Sequence, residues 1–433
     1  MIWNREMECA DQKTMRALQL EKLKKTVKHE YENVAPYRKK MDEAGVKPND
    51  IKTLDDIRRL PFTQKEDLAA NYPTGLFAKP MHEIVRIQAS SGTTGKPKIA
   101  GYTRNDLDMW GECVARSLTM AGADKDSIVH VSYGYGLFTG GLGAHIGAET
   151  IGATVIPMSS GNTQKQVMFL QDMKSTHLCC TPSYALTIAE AVAKAGIKPE
   201  ELALKAGVFG AEPWTQAMRD KIEAGLGIKA HDIYGLSEIM GPGVSTSCSE
   251  NNGMHIQEDY FYPEIIDPDT LEPVPDGEKG ELVITTLGKE GMPLIRYRTR
   301  DICYLMREKC ACGRTTVRMS RVFGRTDDML IIRGVNVFPS QVETVIAKFD
   351  KELTMNYKLY IGRENNTDTF ELAVELAEGL ALDDIGFVEM MRGRVEHALR
   401  DILGIGCKVR LLNEGTLPRS EGKAVRVEDT RKL

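Results

Sequence analysis

The sequence predicts an α/β protein. Its large N-terminal domain should be built from α/β layers with an added β-rich subdomain, and a small, mobile α+β domain should follow. Three observations lead there. Short runs rich in Val and Ile alternate with amphipathic stretches from about residue 84 to 210. From about 255 to 335 the chain changes to short strands separated by turn signals. Beyond that, strand pairs alternate with helices. A chain of 433 residues is longer than one core usually serves, so two or more domains are expected.

Taken in order, residues 11–50 set Leu18, Leu20, Leu23 and Val27 at helical spacing among many charges, with Pro36 and Gly45 as breaks. This predicts an N-terminal helical packing element. The apolar runs 84–89, 127–133, 153–158, 177–181 and 207–210 read as strands, and the intervening 164–173 and 183–195 read as helices. The β-rich region carries a turn at 273–280, then ELVITTL (281–287), 294–300 and DICYLMRE (301–308). In the last region 339–349 and 387–403 read as helices, and 357–363, 369–376 and 408–412 as strands. A boundary near 325 follows, giving domains 1–325 and 326–433. Neither an internal repeat nor a low-complexity tract is present.

Composition narrows the function. With 56 Lys and Arg against 61 Asp and Glu the net charge is −5, which argues against nucleic-acid binding by phosphate neutralisation. No run approaches the roughly 18 apolar residues a membrane span needs, and the opening MIWNREMECADQKT is acidic where a signal peptide would be apolar. A cytoplasmic protein without membrane partners is expected. Nine cysteines are too sparse for a disulfide framework and read as thiols, metal ligands or core residues.

The segment with the clearest chemistry is SSGTTGKPK, residues 90–98. Ser91, Thr93 and Thr94 bring hydroxyl donors, Gly92 and Gly95 let backbone amides approach an anion, and Lys96 and Lys98 bring charge. It is not a P-loop, because its glycines are two residues apart and Pro97 follows Lys96. Alone it reads equally as a polar hairpin tip. Four further motifs follow it in order: Tyr234-Gly-Leu-Ser-Glu238, Tyr297-Arg-Thr-Arg-Asp301, Gly324-Arg-Thr-Asp-Asp328 and Gly422-Lys423. Together they resemble the adenylate-forming superfamily of acyl-CoA synthetases, luciferases and adenylation domains. The wording of YGLSEIMGPGV and GVNVFPSQVE is similar to its phenylacetate-CoA ligase branch.

The resemblance implies the adenylate-forming fold and a set of roles. ATP is held by Ser90, Ser91, Gly92, Thr93, Thr94, Gly95, Lys96 and Lys98. Gly210, Ala211, Glu212, Asp232, Ile233, Tyr234 and Gly235 surround the adenine, with Tyr234 stacking on it. Ser237 lines the phosphate site, Glu238 binds Mg²⁺, Asp301 takes the ribose hydroxyls, and Arg325 reaches ribose or phosphate oxygens. Asp327 is the hinge of the mobile domain, Lys423 stabilises charge at the α-phosphate, and Gly334 and Val335 face coenzyme A. Without the motifs, the plainer readings are a helix-terminal Glu238, a surface ion pair at Asp301, an acidic linker at Asp327 and a solvated Lys423.

Tyr133, Phe138, Gly140 and Gly141 sit in YGYGLFTGG after a strand-like run. Rings beside glycines suit an aryl acid, and no Lys or Arg intervenes; the alternative is that both rings are core. In the family this segment forms part of the acyl pocket. Cys248 and His255, six residues apart, together with Cys310 and Cys312 supply a closed three-thiolate, one-imidazole set for structural Zn²⁺, the alternative being independent thiols. The expected activity is an acid–thiol ligase that uses ATP and Mg²⁺ to convert a phenylacetate-type acid to acyl-AMP and then to the coenzyme A thioester. The rival acceptor is a carrier protein or an amine, and relatives suggest a homodimer.

Overall fold

The computed structural model describes residues 1–90, 97–327, 330–333, 335–364, 367–418 and 425–431. The chain opens with the helix Gln12–Asn33, whose first turn is capped by Asp11 accepting from the Thr14 amide. Leu23 and Val27 are fully buried, while Leu18 and Leu20 are only partly covered. The helix ends at Asn33, just before Pro36, which stands in the first turn of the next helix, Ala35–Glu43, where its missing N–H costs nothing.

At the centre lies a nine-stranded sheet in the order Leu305–Met306, Arg318–Met319, Met254–Ile256, Gly241–Ser247, Lys229–Leu236, Ala206–Gly210, His177–Cys180, Ile128–Val131 and Thr154–Ile156. The last five are mutually parallel and the first four extend the sheet antiparallel. Both faces of the parallel part are buried, as such near-continuous apolar strands require. Cys179 and Val208 join one core, whereas Leu178, Cys180 and Phe209 join another, an alternation set by the two-residue period of a strand. The helix Arg104–Met120 contributes to the first core, and Pro182–Lys194 and Gln216–Leu226 to the second.

Strand order reverses at Ile128–Val131, which has Thr154–Ile156 on one side and His177–Cys180 on the other. A crevice is expected beyond the carboxyl ends of the strands at such a reversal. The segments after residues 131, 210 and 236 leave the sheet at that edge.

The region 255–335 is not one β-rich unit. Phe261–Ile266, Gly280–Thr286, Tyr297–Cys303 and Gly324–Arg325 do form a separate antiparallel sheet, but Met254–Ile256, Leu305–Met306 and Arg318–Met319 pair into the central one. Strand-forming residues and turn signals are alike in both, so the sequence period does not say which edge a strand joins. Toward the C-terminus, Leu353–Glu364 and Thr367–Leu376 form an antiparallel pair flanked by the parallel strands Val427–Asp429 and Lys408–Leu412. The helices Pro339–Ile346 and Ile385–Leu403 supply apolar residues to the same cluster as these strands, close to the boundaries expected at 339 and 387. Among the described residues, no helix is long and apolar enough to cross a membrane.

Candidate active site

A cleft of about 240 Å³ opens at the carboxyl edge of the parallel strands. The structure brings to it Ser90, Tyr133, Phe138, Gly140, Ala211, Glu212, Asp232, Ile233, Tyr234, Gly235, Ser237, Glu238, Asp301 and Arg325, residues far apart in the chain. Lys96, Ser91, Gly92, Thr93, Thr94, Gly95, Gly334 and Lys423 lie outside the described residues.

At one end stands a chain of polar contacts. The Tyr234 hydroxyl donates to Asp301 Oδ2 at 2.6 Å, and Arg325 Nη1 donates to Asp301 Oδ1 at 2.8 Å. Arg325 Nε in turn donates to Asp327 Oδ1 at 2.8 Å, and Lys65 Nζ reaches Asp327 Oδ2 at 3.5 Å. The strand pairing Asp301↔Arg325 sets this up, placing both side chains at one register position. Asp301 is not a surface ion pair with its neighbouring arginines: it is buried, and Arg298 is taken by Glu281 at 2.7 Å. Burial and the adjacent carboxylate push the Tyr234 phenol well above its usual range, so it acts as a donor.

Asp232 lines the same end, where burial lifts its carboxyl to about 6 against the opposing pull of Trp214 and Arg219. Burial lowers its neighbour His231 to about 4, leaving a neutral ring with Nδ1 3.0 Å from the Ser247 carbonyl oxygen and no part in the cleft. Ala211 holds a left-handed φ of +72°. The following Glu212 accepts from the Ser183 amide at 2.7 Å, at the N-terminus of Pro182–Lys194. Gly210 does not line the cleft. A Cβ there would strike the Ile233 carbonyl oxygen, so this glycine permits the close approach of the two strands instead.

Glu238 projects from the turn 237–240, which joins the strands Lys229–Leu236 and Gly241–Ser247. No helix starts there, which removes the helix-dipole reading. Lys98 lies beside the cleft without lining it; burial and Lys65 lower its ammonium, while Glu238 and Asp327 favour the charge. Its amide donates to Ser90 Oγ at 3.2 Å, and the Ser90 amide to its carbonyl at 3.0 Å. Those bonds extend the hairpin Arg86–Ala89/Ile99–Tyr102, so the segment 90–98 does join two paired strands.

The opposite end is apolar. Tyr133 is buried, Phe138 is partly open to the cleft, and Leu236 and Pro242 complete a wall without charge. Gly140 lines this end and opens it by what it lacks, whereas Gly141 does not line the cleft and instead permits the close approach of the Gly134 backbone. A Cβ on Gly140 would lie 2.6 Å from the Phe138 ring, and one on Gly141 would lie 2.7 Å from the Gly134 carbonyl oxygen. Val335 pairs with Ile332 in a short hairpin and does not line the cleft in this pose.

Sequence reasoning missed Thr139, Trp214 and Arg321, which line the cleft, and Lys65. Thr139 Oγ1 stands 3.3 Å from Ser237 Oγ and lay within a segment noticed only for its rings and glycines. Trp214 directly follows the Glu212-Pro213 turn, a proximity that was a usable signal.

The second cluster is closed. One donor atom each from Cys248, His255, Cys310 and Cys312 lies within 4.8 Å of every other. Cys248 and Cys310 sulfurs are 3.6 Å apart, and Cys312 Sγ is 3.4 Å from His255 Nε2. A tetrahedron built on Zn–S bonds of about 2.3 Å has edges of about 3.8 Å, so the spacing suits that ion. His255 Nδ1 meets Thr316 Oγ1 at 3.0 Å, an outer contact that orients the ring.

Known proteins give the family. The profile for AMP-binding enzymes matches residues 9–288, and that for the AMP-binding enzyme C-terminal domain matches 334–431. The chain is 51% identical to phenylacetate-coenzyme A ligase of Thermus thermophilus, over 100% of both chains. It is also 51% identical to that of Escherichia coli, over 100% of this chain and 99% of the other. Crystal structures of 2-hydroxyisobutyryl-CoA ligase match over 99% of this chain and 92% of theirs. The TM-score is 0.92 at 29% identity for the postadenylation state with R3-HIB-AMP, and 0.74 at 30% identity for the thioesterification state with 2-HIB-AMP and CoA. The chain belongs to the AMP-binding, adenylate-forming enzyme family. Within that family it stands in the phenylacetate-CoA ligase branch.

Proposed function

We propose that this chain is an AMP-forming phenylacetate-CoA ligase. The observation that carries the reading is one cleft with an uncharged aromatic wall at one end and the Tyr234–Asp301–Arg325 array at the other; full-length similarity to ligases of that name supports it. The acid carboxylate attacks the α-phosphorus of ATP, pyrophosphate leaves, and acyl-AMP results. The thiol of coenzyme A then attacks the acyl carbonyl, and AMP leaves.

The chain's residues divide this work. Tyr133 and Phe138 flank the aryl ring, with Gly140 keeping space for it. Ala211, Glu212, Ile233 and Gly235 border the base, Tyr234 stacks on it and Asp232 lies beside it. The Asp301 carboxylate accepts from both ribose hydroxyls, a pairing its two oxygens suit, and Arg325 supplies a planar donor fork. The segment 90–98 and Ser237 hold the phosphates, and Lys423 sets its charge beside the α-phosphate. Glu238 offers the hard oxygen that Mg²⁺ prefers. When bound there, Mg²⁺ neutralises charge on the departing pyrophosphate.

The domains divide at 325/326. Residues 326–433 turn about Asp327 to bring Gly334 and Val335 to the cleft for the thiol step. The different TM-scores of one relative in two states support such a two-pose cycle. The Cys248, His255, Cys310 and Cys312 set holds a structural Zn²⁺, leaving no position open for chemistry. A cytoplasmic homodimer completes the reading.

The test is coupled measurement of AMP and thioester with ATP, Mg²⁺ and coenzyme A, across phenylacetate, hydroxyphenylacetate, indoleacetate, benzoate and medium-chain fatty acids. Phenylacetyl-CoA should form fastest. Pyrophosphate release without thioester would discard coenzyme A in favour of a carrier protein as acceptor.

A further inference from the structure

Among the described residues Lys289 is the only lysine withdrawn from solvent, at 1% exposure. A lysine so placed needs acceptors for its ammonium and a nearby opposite charge. It finds its acceptors in the turn that carries Glu238. Lys289 Nζ donates to the Ile239 carbonyl at 2.7 Å and to the Glu238 carbonyl at 3.2 Å. The carboxylates whose charge it feels are Asp106 and Glu238.

Two aromatic side chains complete the same grip. The Tyr102 hydroxyl donates to the Met240 carbonyl at 3.0 Å and to the Ser237 carbonyl at 3.3 Å, and Trp110 Nε1 donates to the Pro242 carbonyl at 3.0 Å. The Tyr102 and Trp110 rings stack with centroids 5.3 Å apart, and Lys289 Nζ stands 4.9 Å from the Tyr102 centroid. Carbonyls from 237 to 240 are thus held by side chains and not by a strand partner. The loop bearing Lys289 is fixed from behind, because Asp106 accepts from the Glu290 and Gly291 amides at 2.7 and 2.8 Å.

A carboxylate meeting a metal-bound nucleotide has to be presented at a fixed point; the Ile239 and Met240 amides close the turn on the Leu236 carbonyl, and Lys289 adds the charged tether at Glu238 itself. We infer that Lys289 is a positioning residue for the adenylating half-reaction: it tethers the carbonyls of Glu238 and Ile239, sets the Glu238 carboxylate toward the cleft and places a positive charge behind it. The inference rests on the reading of Glu238 as the Mg²⁺ carboxylate.

The experiment is titration calorimetry of ATP binding to the full chain over a series of Mg²⁺ concentrations, with the two half-reactions assayed alongside. Lys289→Met keeps the stem and removes the ammonium. It should move the Mg²⁺ dependence of ATP binding to about tenfold higher concentration, as expected for losing charged hydrogen bonds. Binding of metal-free ATP and the KM for the acid should stay unchanged, and adenylation should fall more than thioester formation from supplied acyl-AMP. Lys289→Arg should recover most of the loss. Tyr102→Phe, which removes one hydroxyl and keeps the ring, should shift the Mg²⁺ dependence in the same direction by less, and it decides the matter if Lys289→Met does not fold. Glu238→Gln separates the two readings. If Glu238→Gln loses its Mg²⁺ dependence while folded Lys289→Met or Tyr102→Phe titrates like the parent, the positioning role is overturned. If Glu238→Gln titrates like the parent, the metal reading fails, and the inference with it.

Discussion

The cleft and the cysteine–histidine cluster share one strand yet are arranged in opposite ways. In the cluster four donors lie within 4.8 Å of one another, a closed set with room for one ion. In the cleft the polar groups are spread around about 240 Å³ and face a space, each braced from behind by a second residue: Asp301 by Tyr234 and Arg325, Glu238's turn by Lys289 and Tyr102. The strand Met254–Ile256 serves both, since Met254 lines the cleft and His255 joins the cluster. Successive side chains of a strand point to opposite faces. A structural site satisfies its donors mutually, whereas a reacting site braces them and leaves their front free for a substrate.

The largest effect expected is at the cleft. Lys423→Ala should lower adenylate formation by at least about a hundredfold, the cost of removing a charge-stabilising donor, and leave thioesterification of supplied acyl-AMP largely intact. Equal loss in both half-reactions, measured separately, would remove the distinct role given to that lysine. Next in size, Asp301→Ala should raise the KM for ATP about tenfold or more through lost hydrogen bonds to a charged acceptor, with the KM for the acid unmoved; steady-state kinetics on both substrates checks the split.

At the cluster the reverse pattern is expected. Cys310→Ser should lose stoichiometric zinc by elemental analysis and lower the Tm by several degrees, while calorimetry still detects ATP binding. If ATP binding vanished with the metal, the two sites would not be independent. The smallest effect concerns Asp232. Its folded-state value of about 6 lies above the ordinary aspartate value of 3.8, so the parent loses stability as pH rises through that window. Asp232→Asn should therefore unfold at a higher temperature than the parent at pH 7 in the absence of nucleotide, and the gap should close as pH falls from 6 toward 4.

Much of the cleft was legible in the sequence because its groups sit in short runs at strand ends, where Tyr234 to Glu238 or Tyr297 to Asp301 keep neighbouring functions adjacent. The α/β alternation was legible for the same local reason, and the strand 408–412 falls where its apolar pattern put it. What was not legible depends on the third dimension. Lys289 stands between Gly288 and Glu290, a context that reads as an exposed turn, and its burial is explained by partners distant in sequence, the carbonyls of Glu238 and Ile239 and the ring of Tyr102. Arg321 enters the cleft through packing, with no motif beside it, whereas Trp214 and Thr139 stand next to residues the motifs had already marked. The assignment of Arg318–Met319 to the central sheet likewise follows from its pairing with His255 and Met254, which two residues of pattern could not announce.

Gly235 shows how the site keeps its dimensions. Any Cβ at that position would run into the carbonyl oxygen of Gly241, across the hairpin whose turn bears Glu238. The distance between the two strands is thus limited by a missing side chain, and even a methyl group would wedge the hairpin open and carry the carboxylate away from the cleft. Position 235 acts as a mechanical stop. The spacing of the hairpin is held by a residue with no chemistry of its own.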